Sequence, residues 1–206
     1  MRYILASASP RRREILGNLG LDFTVLVADA DETCDVTDPG ERVEFIALKK
    51  CLAARDKLMA EGMSPADEET VIIACDTLVT LDGEFLGKPR DEEDAIRMMD
   101  MLEGRTHVVA SGIAVWHKGR TVTAHELTEV SFAPMNPAEI RAYVDTKESF
   151  GKAGGYAIQG HAARYITGIR GDYFNVVGLP VCLLGRMLAR FGVDTMKLAA
   201  QKEHKQ

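Results

Sequence analysis

This 206-residue sequence has four cysteines, Cys34, Cys51, Cys75 and Cys182, with no C-x-x-C pair and no regular spacing among them. They read as free thiols in a reducing compartment, not as a disulfide framework. No apolar run reaches transmembrane length. Met1 leads almost directly into a strand, which leaves no room for a signal peptide, so a cytoplasmic location is expected. There is no GxxxxGK[ST], no GxGxxG after a strand and no GxSxG, and Glu129 stands where HExxH would need its second histidine after His125-Glu126. P-loop, dinucleotide, serine-hydrolase and zincin readings fall away with them. Positive charge is also short: the net charge is −6. That balance, with no interleaving of aromatic and basic residues, argues against nucleic-acid or membrane-surface binding. With 46% apolar and 27% charged residues, the chain is an ordinary globular protein.

Against that acidic background Arg11, Arg12 and Arg13 stand out in the segment LASASPRRR. Ser9 suits an N-cap and Pro10 the first helical position. Ile15, Leu16 and Leu19 give an apolar face, and Gly20 ends the helix. Cations in a first turn oppose the helix macrodipole, an arrangement that makes sense where a polyanion docks on free N–H groups. Taken alone, the turn reads equally as a solvated basic segment.

The rest of the chain alternates strand and helix. Strands are expected at Tyr3 to Ala6 and Asp22 to Val27, followed by an acidic loop from Asp29 to Asp38. Asp38-Pro39 starts a long helix to about Ala60, with Val43, Ile46, Ala47 and Leu58 inward. After a polar loop, Glu61 to Glu69, the β-branched run Val71 to Leu81 forms a hairpin with Glu84 to Leu86 across Asp82-Gly83. Asp91 caps a helix ending near Gly104; strands at Thr106 to Trp116 and Thr121 to Phe132 follow, then a short helix from Pro137. A glycine-rich loop, Gly151 to Gly160, leads to more strand, and a helix after Pro180 runs to about Phe191. The tail from Met196 is polar and expected to fray. The pattern predicts an α/β protein with a mixed sheet, split into two lobes.

Asp76 is the leading chemical candidate. It follows the apolar run Ile72 to Cys75, and ligand sites in α/β proteins lie at strand ends. A carboxylate there can accept a proton or hold a metal, or can be a structural aspartate on a neighbouring turn. Lys88 sits in a stiff Gly-Lys-Pro turn. Lys50 lies in a helix whose Ala47 and Ala53 face inward, and Lys152 opens the small-residue loop KAGGYAIQG. Each lysine alone reads as a solvated charge. Gln159 can donate and accept at once, which suits a base edge, and Glu32 is either loop solvation or a carboxylate beside a metal.

Eight segments in order, LASASPRRREIL, DADE at Asp29 to Glu32, ALKK at Ala47 to Lys50, CDTLV at Cys75 to Val79, LGKPRD at Leu86 to Asp91, GRTH at Gly104 to His107, KAGGYAIQG and VVGLP at Val176 to Pro180, resemble the Maf family of nucleoside triphosphate pyrophosphatases. The likeness spans the chain to about residue 190, and its S-P-R-R, D-T and I-Q-G elements resemble the branch acting on dTTP and UTP. Gly151 departs from the acidic residue that commonly precedes Lys-Ala-Gly. The resemblance implies a Maf/ITPase-like mixed sheet with flanking helices and two lobes around a central cleft, as one domain over residues 1–195 with a polar tail at 196–206. It implies hydrolysis of a nucleoside triphosphate to the monophosphate and pyrophosphate. Asp76 would be the proton acceptor; Ser9, Arg11, Arg12, Lys50, Lys88 and Lys152 would bind phosphate, and Arg11, Thr77 and Gln159 would select the base. A divalent metal, Mg²⁺ or Mn²⁺, would sit on Asp76 and Glu32. The implied assembly is a homodimer. The alternative is a nucleotide-binding regulator of cell division and septum formation without turnover.

Overall fold

The structure is a computed structural model that describes residues 1–64 and 69–203. Four residues of the polar loop expected at 61–69, those from 65 to 68, lie outside the described residues, as do the last three of the tail.

The core is a seven-stranded mixed sheet in the order β2-β1-β3-β5-β6-β7, with β4 added to β3. Strand β1 (Arg2–Leu5) pairs in parallel with β2 (Phe23–Val25) and β3 (Thr70–Leu81). Strands β4 (Glu84–Leu86), β5 (Thr106–His117), β6 (Arg120–Phe132) and β7 (Ile166–Arg170) add antiparallel ladders. The hairpin turn at Asp82-Gly83 falls where it was expected, and β5 joins β6 through a second one at Lys118-Gly119. Asp82 and Gly83 have φ of 52° and 82°, and Lys118 and Gly119 of 50° and 70°, the left-handed pairs that match the twist of the strands they join.

Helix α1 (Pro10–Asn18) follows β1 directly, with Ser9 extended as its N-cap, Pro10 leading, and Gly20 at φ 76° just past its end. Helix α2 (Pro39–Ala60) is capped by Asp38, whose side chain accepts the Glu41 N–H at 2.8 Å. Its buried stripe is Val43, Ile46, Ala47, Cys51, Ala54 and Leu58. Ala54, not Ala53, therefore continues the inner face, and Lys50 borders that stripe. Helices α3 (Glu92–Leu102) and α4 (Pro137–Asp145) start at Asp91 and at an Asn136–Glu139 capping box. Helices α5 (Tyr173–Val177), α6 (Val181–Ala189) and α7 (Thr195–Glu203) complete the chain.

Strand β2 is shorter than the run Asp22 to Val27 promised. The tail differs more: instead of fraying at Met196 it forms α7. Asp194 Oδ1 caps it by accepting the Met196 and Lys197 N–H groups at 3.1 Å, and Leu198 packs on the core.

The two lobes arise from β3. Strand β5 pairs with it from Val71 to Thr80, but the opposite edge is shared. β1 covers that edge as far as Ile73, and β4 takes it up again at Val79. Around the first half Leu5, Leu16, Ile73, Val115 and Leu184 pack with α1 and α6, and Ile4, Ala47, Ile72 and Trp116 pack under α2. Around the second half Val79, Leu86, Met99, Val109, Phe132 and Tyr156 pack with α3 and α4. The cleft between the halves is the open edge of β3 from residue 74 to 78.

Candidate active site

Asp76 lies in that gap. It is not at a strand end, as expected from the sequence, but mid-strand, paired to Gly112 of β5, where the neighbour on its other edge has stopped. The stop of β1 opens the carboxylate to the cleft, and its side chain is 15% exposed. Lys50 reaches it from α2, with Nζ 2.7 Å from Asp76 Oδ1 and 3.1 Å from Oε1 of Glu32 on the acidic loop. The position of α2 is set by a close approach: a Cβ on Gly112 would lie 2.3 Å from the Val43 carbonyl carbon. Only glycine lets the helix backbone come this near the strand.

The arginine turn closes the cleft from above β3. Arg12 donates from Nε to the Gly178 carbonyl at 2.8 Å, from Nη1 to Ser7 Oγ at 3.1 Å and from Nη2 to Thr77 Oγ1 at 2.9 Å. Three of its five N–H donors are spent on the protein. Arg11 is the opposite case. Its Nε is buried without any hydrogen-bond partner, and burial, then the Arg12 charge, pull its pKa below the usual guanidinium range. Ser9 makes no side-chain cap bond, so its hydroxyl is not spent on the helix it begins.

The glycine-rich loop supplies the third wall. Gly154 stands at φ 69°, its N–H on the Gly87 carbonyl at 3.0 Å, with Val79 where a side chain would be. Lys88 follows Gly87 and is exposed. Lys152 is half-buried, its ammonium donating to the Glu148 carbonyl, and burial followed by repulsion from Arg11 lowers its pKa. That repulsion places Lys152 in the electrostatic neighbourhood of the arginine turn. Gly151 sits at φ 73° with open space around it, so glycine suits the backbone here. Gln159 is exposed, beside Ile158, which packs on both halves of the core.

The structure thus joins Glu32, Lys50 and Asp76 in one charged chain, ties Arg12 to Thr77, and brings the Lys88 turn against the Lys152 loop. Among the described residues no side-chain hydrogen bond joins Gln159 or Ser9 to the others, although the Ser9 N–H shares the Ser7 hydroxyl with Arg12. The supports of these residues were not legible in the sequence. Glu148 accepts the N–H groups of His161 and Ala162 at 2.9 and 3.3 Å, and Tyr156 is held by His107 Nε2 at 2.8 Å. Among the described residues no three His, Cys, Asp or Glu side chains come together as a metal cage, and no helix is long and apolar enough to cross a membrane.

An α/β sheet with Lys50 and Arg12 bonded to Asp76 and Thr77 in the gap along β3 is the general class, and the family follows from comparison with known proteins. The family model described as Maf-like protein matches residues 2–191, and the chain belongs to the Maf family. It is 45% identical to the dTTP/UTP pyrophosphatase of Moorella thermoacetica over 94% of this chain and 96% of that one. It is 41% identical to the dTTP/UTP pyrophosphatase of Bacillus cytotoxicus, over 92% and 95%. A partial structural likeness to the Ham1 protein of Staphylococcus aureus has a TM-score of 0.46 at 17% identity, over 65% of this chain and 72% of that one.

Proposed function

We propose that this chain hydrolyses dTTP and UTP between the α and β phosphates, releasing the monophosphate and pyrophosphate. The observation that carries this reading is the bridge from Lys50 to Asp76 at the gap in β3, supported by a buried, unpaired guanidinium N–H on Arg11, the neighbour of the Arg12 that bonds Thr77. The name shared by relatives 41–45% identical to it supports the same substrates.

A triphosphate is a dense polyanion, and an acidic protein must gather cations to hold it. On this reading Arg11, Lys50, Lys88 and Lys152 are the cations gathered for that purpose, with Ser9 at the helix start and the two remaining donors of Arg12. Positioning and electrostatic stabilisation carry most of such a phosphoryl transfer. Asp76 takes the proton of the water that attacks the α phosphorus, and the cations stabilise charge on the departing pyrophosphate. Lys50, bonded to Asp76 in the free protein, is placed to serve both the base and a phosphate oxygen. Arg11, Thr77 and Gln159 select the base, the Gln159 amide meeting a donor and an acceptor of the pyrimidine edge.

The donor set fits a divalent cation carried in with the nucleotide. Mg²⁺ is usually held by one or two carboxylates plus substrate phosphates, and Asp76 and Glu32 are such a pair. When bound, Mg²⁺ or Mn²⁺ would polarise the α phosphate. On this reading the protein is a cytoplasmic enzyme for free nucleotides and a homodimer, its single domain, expected over residues 1–195, extended by α7.

Pyrophosphate release over all canonical nucleoside triphosphates tests the proposal. Turnover is expected to be highest with dTTP and UTP. Binding without release would favour the regulator of cell division, and a preference for purine triphosphates would overturn the base assignment.

A further inference from the structure

A chain of hydrogen bonds runs from half-buried Arg12 across the sheet to buried Ser111 and Asn175. Thr77 Oγ1 lies 2.9 Å from Arg12 Nη2 and 2.8 Å from Ser111 Oγ, its register partner on β5. Ser111 is fully buried and donates its hydroxyl to the Asn175 backbone carbonyl at 3.1 Å. A serine has one hydroxyl proton. With that proton on Asn175, the bond between Thr77 and Ser111 must run from the Thr77 hydroxyl to the Ser111 oxygen. Thr77 therefore turns only lone pairs toward Arg12, which donates. The direction of the whole chain, Arg12 to Thr77 to Ser111 to Asn175, is set at its far end.

That end is firmly held. Asn175 is fully buried, and its Nδ2 donates to the Val109 carbonyl and to Thr128 Oγ1, each at 2.9 Å. Helix α5, which carries it, has five residues, too few to persist on its own hydrogen bonds. These side-chain bonds to β5 and β6 hold it in place. α5 ends at Gly178, φ 119°, whose carbonyl accepts Arg12 Nε. Arg12 is thus gripped twice from one short helix, through Gly178 directly and through Thr77 and Ser111 from Asn175.

We propose that Ser111 and Asn175 are positioning residues of the pyrophosphatase site, which orient Arg12 toward the nucleotide phosphates without touching them. This rests on the function proposed above. Removing the Ser111 hydroxyl strips the Asn175 carbonyl of its donor and frees the Thr77 proton. The Gly178 carbonyl, 3.4 Å away, is the acceptor within reach, and there Thr77 competes with Arg12 Nε.

The test is a mutant cycle of Ser111→Ala and Arg12→Lys, read as kcat and KM for dTTP and as calorimetric affinity for inorganic pyrophosphate, with melting curves for folding. Ser111→Ala is expected to lower kcat/KM roughly tenfold in the wild-type background and less than about twofold beside Arg12→Lys. Ser111→Thr, which restores the hydroxyl, should recover most of the loss. Thr128→Val, which loosens Asn175 from β6, gives the same reading from the other end should Ser111→Ala not fold. Equal losses in both backgrounds, or unchanged kcat/KM and pyrophosphate affinity, would overturn the proposal. A wild-type protein that releases no pyrophosphate from dTTP refutes the function instead, and the affinity arm, which needs no turnover, still decides this one.

Discussion

Lys50 Nζ sits 2.7 Å from Asp76 Oδ1, joining helix α2 to the one stretch of β3 whose outer edge no strand covers. Two half-buried charges meet in a cleft, and the ammonium also reaches Glu32 at 3.1 Å. On the function proposed above, the geometry of the base and that of a phosphate-binding cation are therefore one quantity, set by how closely α2 approaches the sheet.

Gly112→Ala tests that dependence. The added carbon would lie 2.3 Å from the Val43 carbonyl carbon and 2.4 Å from its oxygen, so the helix backbone must move. Overpacking of this kind costs about 1–3 kcal/mol. Urea denaturation should show a loss of that size, and kcat should fall because Lys50 moves with the helix. Unchanged stability would mean the close approach is not a constraint.

Arg11 should separate binding from folding. Its buried Nε has no partner to lose, and its charge is repelled by Arg12 and stands at a helix N-terminus. Arg11→Ala should raise KM for dTTP while the melting temperature holds or rises slightly. A clear fall in melting temperature with unchanged kinetics would make Arg11 structural.

Much of the fold was legible because its signals are local. The β-branched run marked β3, Ser9-Pro10 marked α1, and Asp82-Gly83 marked a hairpin turn. Helix α5 was not legible, because a five-residue helix held by an asparagine amide on residues 109 and 128 leaves no periodic trace. The inner face of α2 was read through Ala53 when Cys51 and Ala54 are buried, since consecutive small residues blur the register. The candidate site was proposed from the sequence only in conjunction. Arg11, Lys50, Lys88 and Lys152 each resemble ordinary surface cations, and the order of eight segments brought them together. Ser111 and Asn175 look like any polar residues, as their importance lies in what they meet across the sheet.

His107 carries a pH dependence. It is buried between Phe132 and Tyr156 with Nδ1 unpaired, and burial lowers its pKa to about 4. An unfolded histidine titrates near 6.5, so below that value the unfolded state binds the extra proton first. Stability is then complete above about pH 6.5 and declines as pH falls toward 4, by on the order of 3 kcal/mol. Denaturation midpoints across that range should fall more steeply for the wild type than for His107→Leu. Parallel slopes would remove His107 as the cause.

Gln159→Glu probes base choice. Ionised glutamate only accepts, so it repels the O4 carbonyl of uracil or thymine and suits adjacent N–H donors, as in guanine. Activity on dTTP and UTP should drop roughly ten- to a hundredfold in kcat/KM, with folding little changed because the side chain is exposed. A variant that discriminates among bases as the wild type does would take Gln159 out of recognition.

Turnover of dTTP by Asp76→Asn bears most directly on the mechanism. Asparagine keeps the size and hydrogen-bonding reach of the side chain but cannot take a proton from water, and Lys50 retains Glu32 as a partner. The expected result is a fall in kcat of about two to four orders of magnitude, with dTTP still bound by the purified, folded variant. Near-normal pyrophosphate release from that variant would contradict the assignment of Asp76 as the base.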